Sequence, residues 1–465
     1  MFTQSAASRP SALLRQLGFY SATALVVSNM IGSGIFGISG FMVSALGDPL
    51  LILLAWLVGA VFALAGAMSY SELGVNFPAS GGEYVYLTRA YGPTWGFMTG
   101  WASFFAGFSA PVAASALVFS NYVGHFFPVF DQSNVMFTIG PEAFRVRLGG
   151  SQLLASALVA AFTVLNCFGV ARTARIQNVL TAVKIVVIVS FVVIGFAAGS
   201  GSWDNLSQPA ARDSASPLPV AFMIQLLFVM VGYSGWNAAT YVAEELKQPE
   251  RTLPAAIAVG TGLVTVLYIA LNLVYFYATP AEQLKGVVAV GKVSAQNLFG
   301  PGVAGLFSAL MAVSIMSTVN AMVTIGPRVY YAMAKNGAFL KAAAEVHPRW
   351  RTPVFAIVSQ GVCTVLMTLT PIPDLFGFIG STLTFFTVLS VVSLFKFRKR
   401  AGWQRLRAVN FAYPLFPVLY IVVGLAMMVN GILFQPKVSL AVIGMLVAGA
   451  LVYHFAVAKK PALDS

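Results

Sequence analysis

Three features of this chain carry residue types that could do chemistry. The first is the run Asn29-Met30-Ile31-Gly32-Ser33-Gly34-Ile35-Phe36, in the middle of an apolar block. Two glycines flanking a serine are poor helix formers. Where a half-helix begins beyond Gly32, its free N–H groups attract an anion such as a carboxylate, and Ser33 adds a hydroxyl donor. The second is Val231-Gly232-Tyr233-Ser234-Gly235-Trp236-Asn237, which interrupts another apolar block in the same way. Free carbonyls at the ends of half-helices attract a cation such as an ammonium. Opposed donors and acceptors suit the zwitterionic head of an amino acid. Small residues also serve close helix packing. Two interruptions at matching positions, however, point to a transport site.

The third feature is Lys184, eight residues into the apolar block that starts at 176. An ionisable group within a span is costly and is a functional candidate by default. One reading has it gain and lose a proton during transport. A second has it permanently charged, hydrogen-bonded to unwound carbonyls of the first block as a fixed cation. A third has it snorkel to the near surface, across about 12 Å of helix.

The acidic residues matter by where they are missing. Glu72, Glu83, Glu244, Glu245 and Glu250 fall at one set of block ends. Asp48, Asp131, Glu142, Asp204, Asp213 and Glu282 fall at the other, and Asp374 opens a block near that second surface. No carboxylate stands mid-block to receive a cationic side chain or a diamine, so a substrate with an uncharged side chain is expected. The stretches 101–123 and 308–323 supply Ser, Ala, Phe and Met for a small-to-medium apolar pocket. His125, His347 and His454 lie at block ends or in connectors, and neither HExxH nor GxSxG occurs. An intramembrane enzyme is thereby disfavoured. Cys167 and Cys363 belong to no CxxC pair and read as buried spectators. No metal site and no cofactor is implied.

The elements that must position these residues follow from composition. Of 465 residues, 58% are hydrophobic and only 9% charged, and the mean hydropathy is +0.83. Soluble domains carry nearer a quarter charged residues. Apolar blocks fall at 20–45, 50–72, 93–123, 150–169, 176–199, 218–243, 254–279, 300–334, 352–370, 374–395, 412–433 and 438–457. Each is long enough to cross a bilayer as a helix, and only helices satisfy their backbone in lipid over such lengths. The fold class is therefore all-α, a polytopic membrane protein of about 12 transmembrane helices. The two interruptions lie five blocks apart, which predicts inverted repeats of five with helices 1 and 6 broken.

Sidedness follows from the basic residues. Counted from an inner N-terminus, 20 of the 27 Lys and Arg fall on one side and six on the other, with Lys184 inside a block. That asymmetry predicts that both termini are cytoplasmic. It also explains the net charge of +13 without a nucleic acid partner. The basic run 396–407 reads as a topology signal first and as a contact for acidic lipid headgroups second. The polar start, with Arg9 and Arg15, leads into an apolar block too long for a cleaved signal.

Several ordered motifs carry a family resemblance across nearly the whole chain. They are Ile31-Gly32-Ser33-Gly34-Ile35-Phe36, Tyr70-Ser71-Glu72-Leu73-Gly74 followed by Gly81-Gly82-Glu83-Tyr84, and Glu244-Glu245 with Pro249, Arg251, Leu253-Pro254 and Ala256-Ile257. The run Arg328-Val329-Tyr330-Tyr331-Ala332-Met333-Ala334-Lys335-Asn336-Gly337 is the fourth. Together they resemble the amino acid–polyamine–organocation transporter superfamily. Tyr233-Ser234-Gly235-Trp236-Asn237 and the stretch 177–184 are similar to its L-type members and their bacterial relatives.

The resemblance implies the leucine-transporter fold with alternating access: 1–19 a cytoplasmic segment, 20–199 the first inverted repeat, 200–217 an extracellular connector and 218–396 the second repeat. A basic cytoplasmic loop at 397–411, two further helices at 412–457 and a tail at 458–465 complete it. By position, Gly32, Ser33 and Gly34 would bind the substrate carboxylate, and backbone near Val231 and Gly232 the amine. Asn237 would bind substrate or join the polar network around it. Lys184 would take the space that a sodium ion holds in sodium-coupled relatives, with Ser314 and Ser317 as weaker candidates for lining it.

Two departures stand out. L-type members commonly have an aromatic gate where this chain has Val231, so Phe228 becomes the gate candidate. The connector 124–149 lacks the cysteine by which animal L-type subunits link a glycoprotein, so no disulfide-linked heavy subunit is expected. The expected function is transport of neutral L-amino acids across the plasma membrane by exchange or proton symport. The short termini point to a bacterial inner membrane. A cationic amino acid or polyamine exchanger is the rival within transport.

Overall fold

A computed structural model of the protein describes residues 17–78, 81–140, 146–168, 170–335 and 337–457. The basic N-terminal segment with Arg9 and Arg15, Arg145, Asn336 and the tail with Lys459 and Lys460 lie outside these described residues.

The first block is broken as expected, into α1 (Phe19–Met30) and α2 (Gly34–Leu46), bent by 42°. α3 (Pro49–Asn76) starts where Asp48 Oδ1 accepts from Leu50 N at 2.7 Å and Pro49 takes the first helical position, a place that needs no N–H. The short α4 (Glu83–Tyr91) precedes span three, which is α5 (Pro93–Ala102), a π-helical turn (Ser103–Ser109) and α6 (Ala110–Val123). Pro111 offers no N–H and crowds the preceding turn, which is the physical reason for the widened turn there. The strands β1 (Val135–Ile139) and β2 (Val146–Gly149) form an antiparallel hairpin in the next connector, the one described departure from an all-helical chain.

Spans four and five are α7 (Gly150–Cys167) and α8 (Val170–Ala198). Span six is α9 (Leu218–Tyr233), a turn, and a 3-10 segment (Ala238–Glu245), so it too is broken where the glycines predict. The second half continues with α10 (Pro249–Ala278), the short α11 (Ala281–Leu284) and α12 (Val290–Phe299), and α13 (Pro301–Lys335). It closes with α14 (Val354–Met367), α15 (Ile372–Phe397), the short α16 (Arg407–Asn410), α17 (Leu415–Phe434) and α18 (Pro436–Val452). Nine helices among the described residues are long and apolar enough to cross a bilayer, and the bent pair α1–α2 makes a tenth. Blocks six and nine hold the shorter apolar helices α9 and α14.

Packing follows the repeat. Each of spans one to four lies against the span five places on: α2 on α9, α3 on α10, α6 on α13 and α7 on α14. The pair α8–α13 is mirrored by α15–α6, and α1–α10 by α9–α3. Spans three and ten are central, with 67% of their apolar windows buried, whereas the last span buries 11% and faces outward. Outward leucines such as Leu433 and Leu440 are the expected surface for lipid.

At the end of α3 the Glu72 carboxylate is fully buried and meets Arg398 in a two-pronged ion pair, Nε to Oε1 at 2.7 Å and Nη2 to Oε2 at 2.6 Å. Trp403 Nε1 and Leu406 N also donate to it, at 2.8 and 3.2 Å. Arg398 therefore belongs to the interior and is withdrawn from any lipid headgroup contact by the basic run. Removing one partner leaves the other charged and buried, so Arg398→Ala should cost about 3–5 kcal/mol. Thermal unfolding in detergent checks this. The double change Glu72→Met with Arg398→Met should lose markedly less, because no charge is then stranded.

Candidate substrate site

The two breaks touch. A Cβ built on Gly34 would come within 2.7 Å of Gly232 Cα, and one on Gly232 within 2.7 Å of the Trp56 ring. Gly235, at φ +99°, lies with its Cα-side face against the Asn29 backbone, where a Cβ would meet it at 2.8 Å. Glycine is required here by both conformation and space. Around this contact the structure encloses a cavity of about 20 Å³ lined by Gly32, Ser33, Gly34, Val231, Thr318 and Phe376, among others. That volume admits a water molecule; a side chain or half-helix must move to admit an amino acid.

Gly34, whose N–H is the first of α2 and needs no helical partner, lies at this cavity, and the hydroxyls of Ser33 and Ser115 are 2.8 Å apart beside it. On the acceptor side four of the carbonyls at the breaks have donors. Lys184 Nζ donates to Ile31 O at 2.6 Å and to Thr318 Oγ1 at 3.4 Å. Its side chain is 1% exposed, so it does not snorkel. Tyr268 on α10 shares its hydroxyl between Met30 O at 2.6 Å and Gly232 O at 3.0 Å. Val231 O accepts from Ser234 N and Oγ, at 3.2 and 2.8 Å. The carbonyls expected to take an amine are thus held by neutral donors in this conformation.

Beyond Lys184 a polar chain runs through three helices. Gln177 donates to Ser317 Oγ and Thr181 Oγ1, each at 3.0 Å, and accepts from Asn320 at 2.9 Å. Thr324 donates to Asn166 Oδ1 at 2.7 Å. Ser317 meets Gln177 and Thr181, whereas Lys184 itself meets the neighbouring Thr318. Ser314 donates to Leu310 O one turn back and makes no other hydrogen bond among the described residues.

The remaining expected residues fall differently. Asn237 does not line the cavity; its Nδ2 donates to Glu83 Oε1 at 2.5 Å. Phe228 is buried behind Phe376, the rings 5.7 Å apart and edge to face, and Phe41 meets Phe376 from the other side. Phe376 itself lines the cavity. Nothing in the sequence marks it, because an aromatic on an apolar helix ordinarily means packing. Tyr268 was invisible for the same reason, and Thr318 is one of many hydroxyls on the apolar helices.

The pattern that defines the amino acid permease family matches residues 17–455, and with it the motifs at both breaks. The chain belongs to that family. This amino acid permease, of the amino acid–polyamine–organocation superfamily, is a multi-pass membrane transporter and not an enzyme. It is 31% identical to the serine/threonine exchanger SteT of Bacillus subtilis over 417 residues, 88% of this chain and 89% of the relative. It is 29% identical to the human large neutral amino acids transporter small subunit 2, over 96% of this chain and 81% of the relative. The mouse b(0,+)-type amino acid transporter 1 shares 29% identity, over 97% and 90%.

The glycine contact generates a graded prediction for the permease. Gly34→Ala forces α2 off α9 and should lower amino acid uptake by about tenfold or more. Gly32→Ala, whose Cβ would meet Thr318 at an ordinary 3.6 Å, should cost less. Uptake by the two variants at equal membrane expression decides it; equal losses would sink the packing argument.

Proposed function

We propose that this permease exchanges neutral L-amino acids across the plasma membrane by alternating access, with both termini in the cytoplasm. The observation that carries the reading is the meeting of the two breaks around one cavity with no charged side chain on its wall. N–H groups of α2 and Ser33 would take the substrate carboxylate. The amine would take over carbonyls of Met30, Val231 or Gly232 from their present donors. Lys184, with two oxygen acceptors and no ion-pair partner among the described residues, would act as a fixed cation that keeps the first span open. The names of the relatives support exchange and a neutral substrate. A cationic substrate would need an acid facing the cavity, and the acid near the site, Glu83, faces Asn237 and Tyr241 instead. A disulfide-linked partner is not part of the proposal, since the 124–149 connector holds no cysteine.

Purified protein in liposomes tests this. Uptake of labelled alanine or serine should require internal amino acid and ignore an imposed proton gradient. Unlabelled leucine, serine or alanine should compete better than arginine. Lys184→Ala should reduce exchange by about tenfold or more, because Ile31 O loses a charge-assisted hydrogen bond at membrane depth. Gradient-driven uptake without internal substrate would replace exchange by proton symport, and arginine as the better competitor would favour the cationic rival.

A further inference from the structure

Two buried glutamates stand on the side of the membrane that carries most of the lysines and arginines, and they are held in opposite ways. Glu72 has Arg398. Glu83, 7% exposed, has no ion-pair partner among the described residues. Its Oε1 accepts from Asn237 Nδ2 and its Oε2 from Tyr241 Oη, both at 2.5 Å. The titratable groups that face it are all phenols: Tyr70 on α3, Tyr86 on α4, Tyr241 on the 3-10 segment and Tyr420 on α17. A carboxylate with neutral partners keeps its charge only through those hydrogen bonds. Burial pushes the Glu83 carboxyl above the usual carboxylate range, while the Tyr241 and Asn237 donors act against that rise.

The backbone is built to aim this group. Gly81 and Gly82 both have positive φ, at +134° and +48°, and a Cβ on Gly82 would come within 2.7 Å of the Tyr241 ring. The turn is therefore seated on Tyr241, and Glu83, the first residue of α4, enters the gap between α4 and the second half of span six. Asn237 directly follows the Ser234-Gly235-Trp236 turn that abuts the first break. Tyr241 is 38% exposed, so one side chain separates the carboxylate from solution. Protonation would remove the charge from both hydrogen bonds and with it roughly half their strength. The added O–H must turn to a phenol oxygen, since the Asn237 amide nitrogen cannot accept.

We propose that Glu83 is a proton-binding positioning residue of the transport site: as a carboxylate it clasps Asn237 and Tyr241 and fixes the second half of span six, and as a neutral acid it lets them go. The inference rests on the transport reading above. It makes substrate affinity fall as pH falls, although no titratable group touches the substrate.

The test uses the full chain in liposomes at equal pH on both sides, so that no gradient drives uptake. The KM for the transported amino acid should rise by about fivefold between neutral and acidic pH in the natural protein. Glu83→Gln should show a flat profile at the acidic limit. Tyr241→Phe removes a donor that stabilises the charged form and should move the midpoint to higher pH. Infrared difference spectra of the detergent-solubilised protein supply a readout independent of transport: acidification should raise a carboxylic acid C=O band that Glu83→Gln lacks. A Glu83→Gln profile parallel to the natural one, a pH-independent natural KM, or identical infrared bands in both proteins would overturn the proposal. Absence of any amino acid uptake would defeat the transport reading instead, and the infrared comparison would still decide whether Glu83 binds the proton.

Discussion

A helix broken inside a bilayer must find donors for the carbonyls it frees, and the rest of this structure follows from that requirement. Ile31 O is met by Lys184, Met30 O and Gly232 O by Tyr268, and Val231 O by Ser234. Left unmet, each would cost several kcal/mol in hydrocarbon, on the order given for any unsatisfied backbone group there. The donors come from α8, α10 and span six itself, so the break can exist only where these helices converge. Its position at the centre of the bundle is a condition of its stability as much as of its use.

Those donors are also replaceable. A hydroxyl shared between two carbonyls at 2.6 and 3.0 Å serves neither as well as a dedicated donor would. An ammonium has three N–H bonds and a charge, and its charge-assisted bonds are about twice as strong as neutral ones. Lys184 differs from the hydroxyl donors in being an amine on α8, a helix outside the broken spans. The geometry thus separates a lysine on α8 that holds Ile31 O from the carbonyls held by a tyrosine and a serine hydroxyl.

Much of this was legible in the sequence because the signals are local. Twelve apolar blocks, two glycine clusters and one lysine within a span are each read from a few neighbouring residues, and the helices, both breaks and the buried Lys184 stand where those patterns place them. What was not legible arises from contacts across long stretches of chain. Arg398 sits in a basic run and looks solvated until Glu72, 326 residues away, closes on it. Glu83 sits at a helix start and looks exposed until span six folds over it. Phe376 and Tyr268 are ordinary aromatics of apolar helices until the breaks meet them. Val231 does line the cavity, and the aromatic on the same wall is Phe376 on α15, with Phe228 packed against it, because that wall is assembled from several helices and not from one motif.

The small cavity has a thermodynamic consequence. A conformation whose site admits only a water molecule cannot hold an amino acid, so substrate binds to a wider form of the same molecule. The affinity measured is then the intrinsic affinity of that wider form reduced by the fraction of molecules that adopt it. A substitution that touches no substrate atom but tightens the closed packing, for instance between Trp56, Tyr233 and Tyr268, would weaken apparent binding through that fraction alone. Weak binding in such a carrier is as much a property of its resting population as of its contacts.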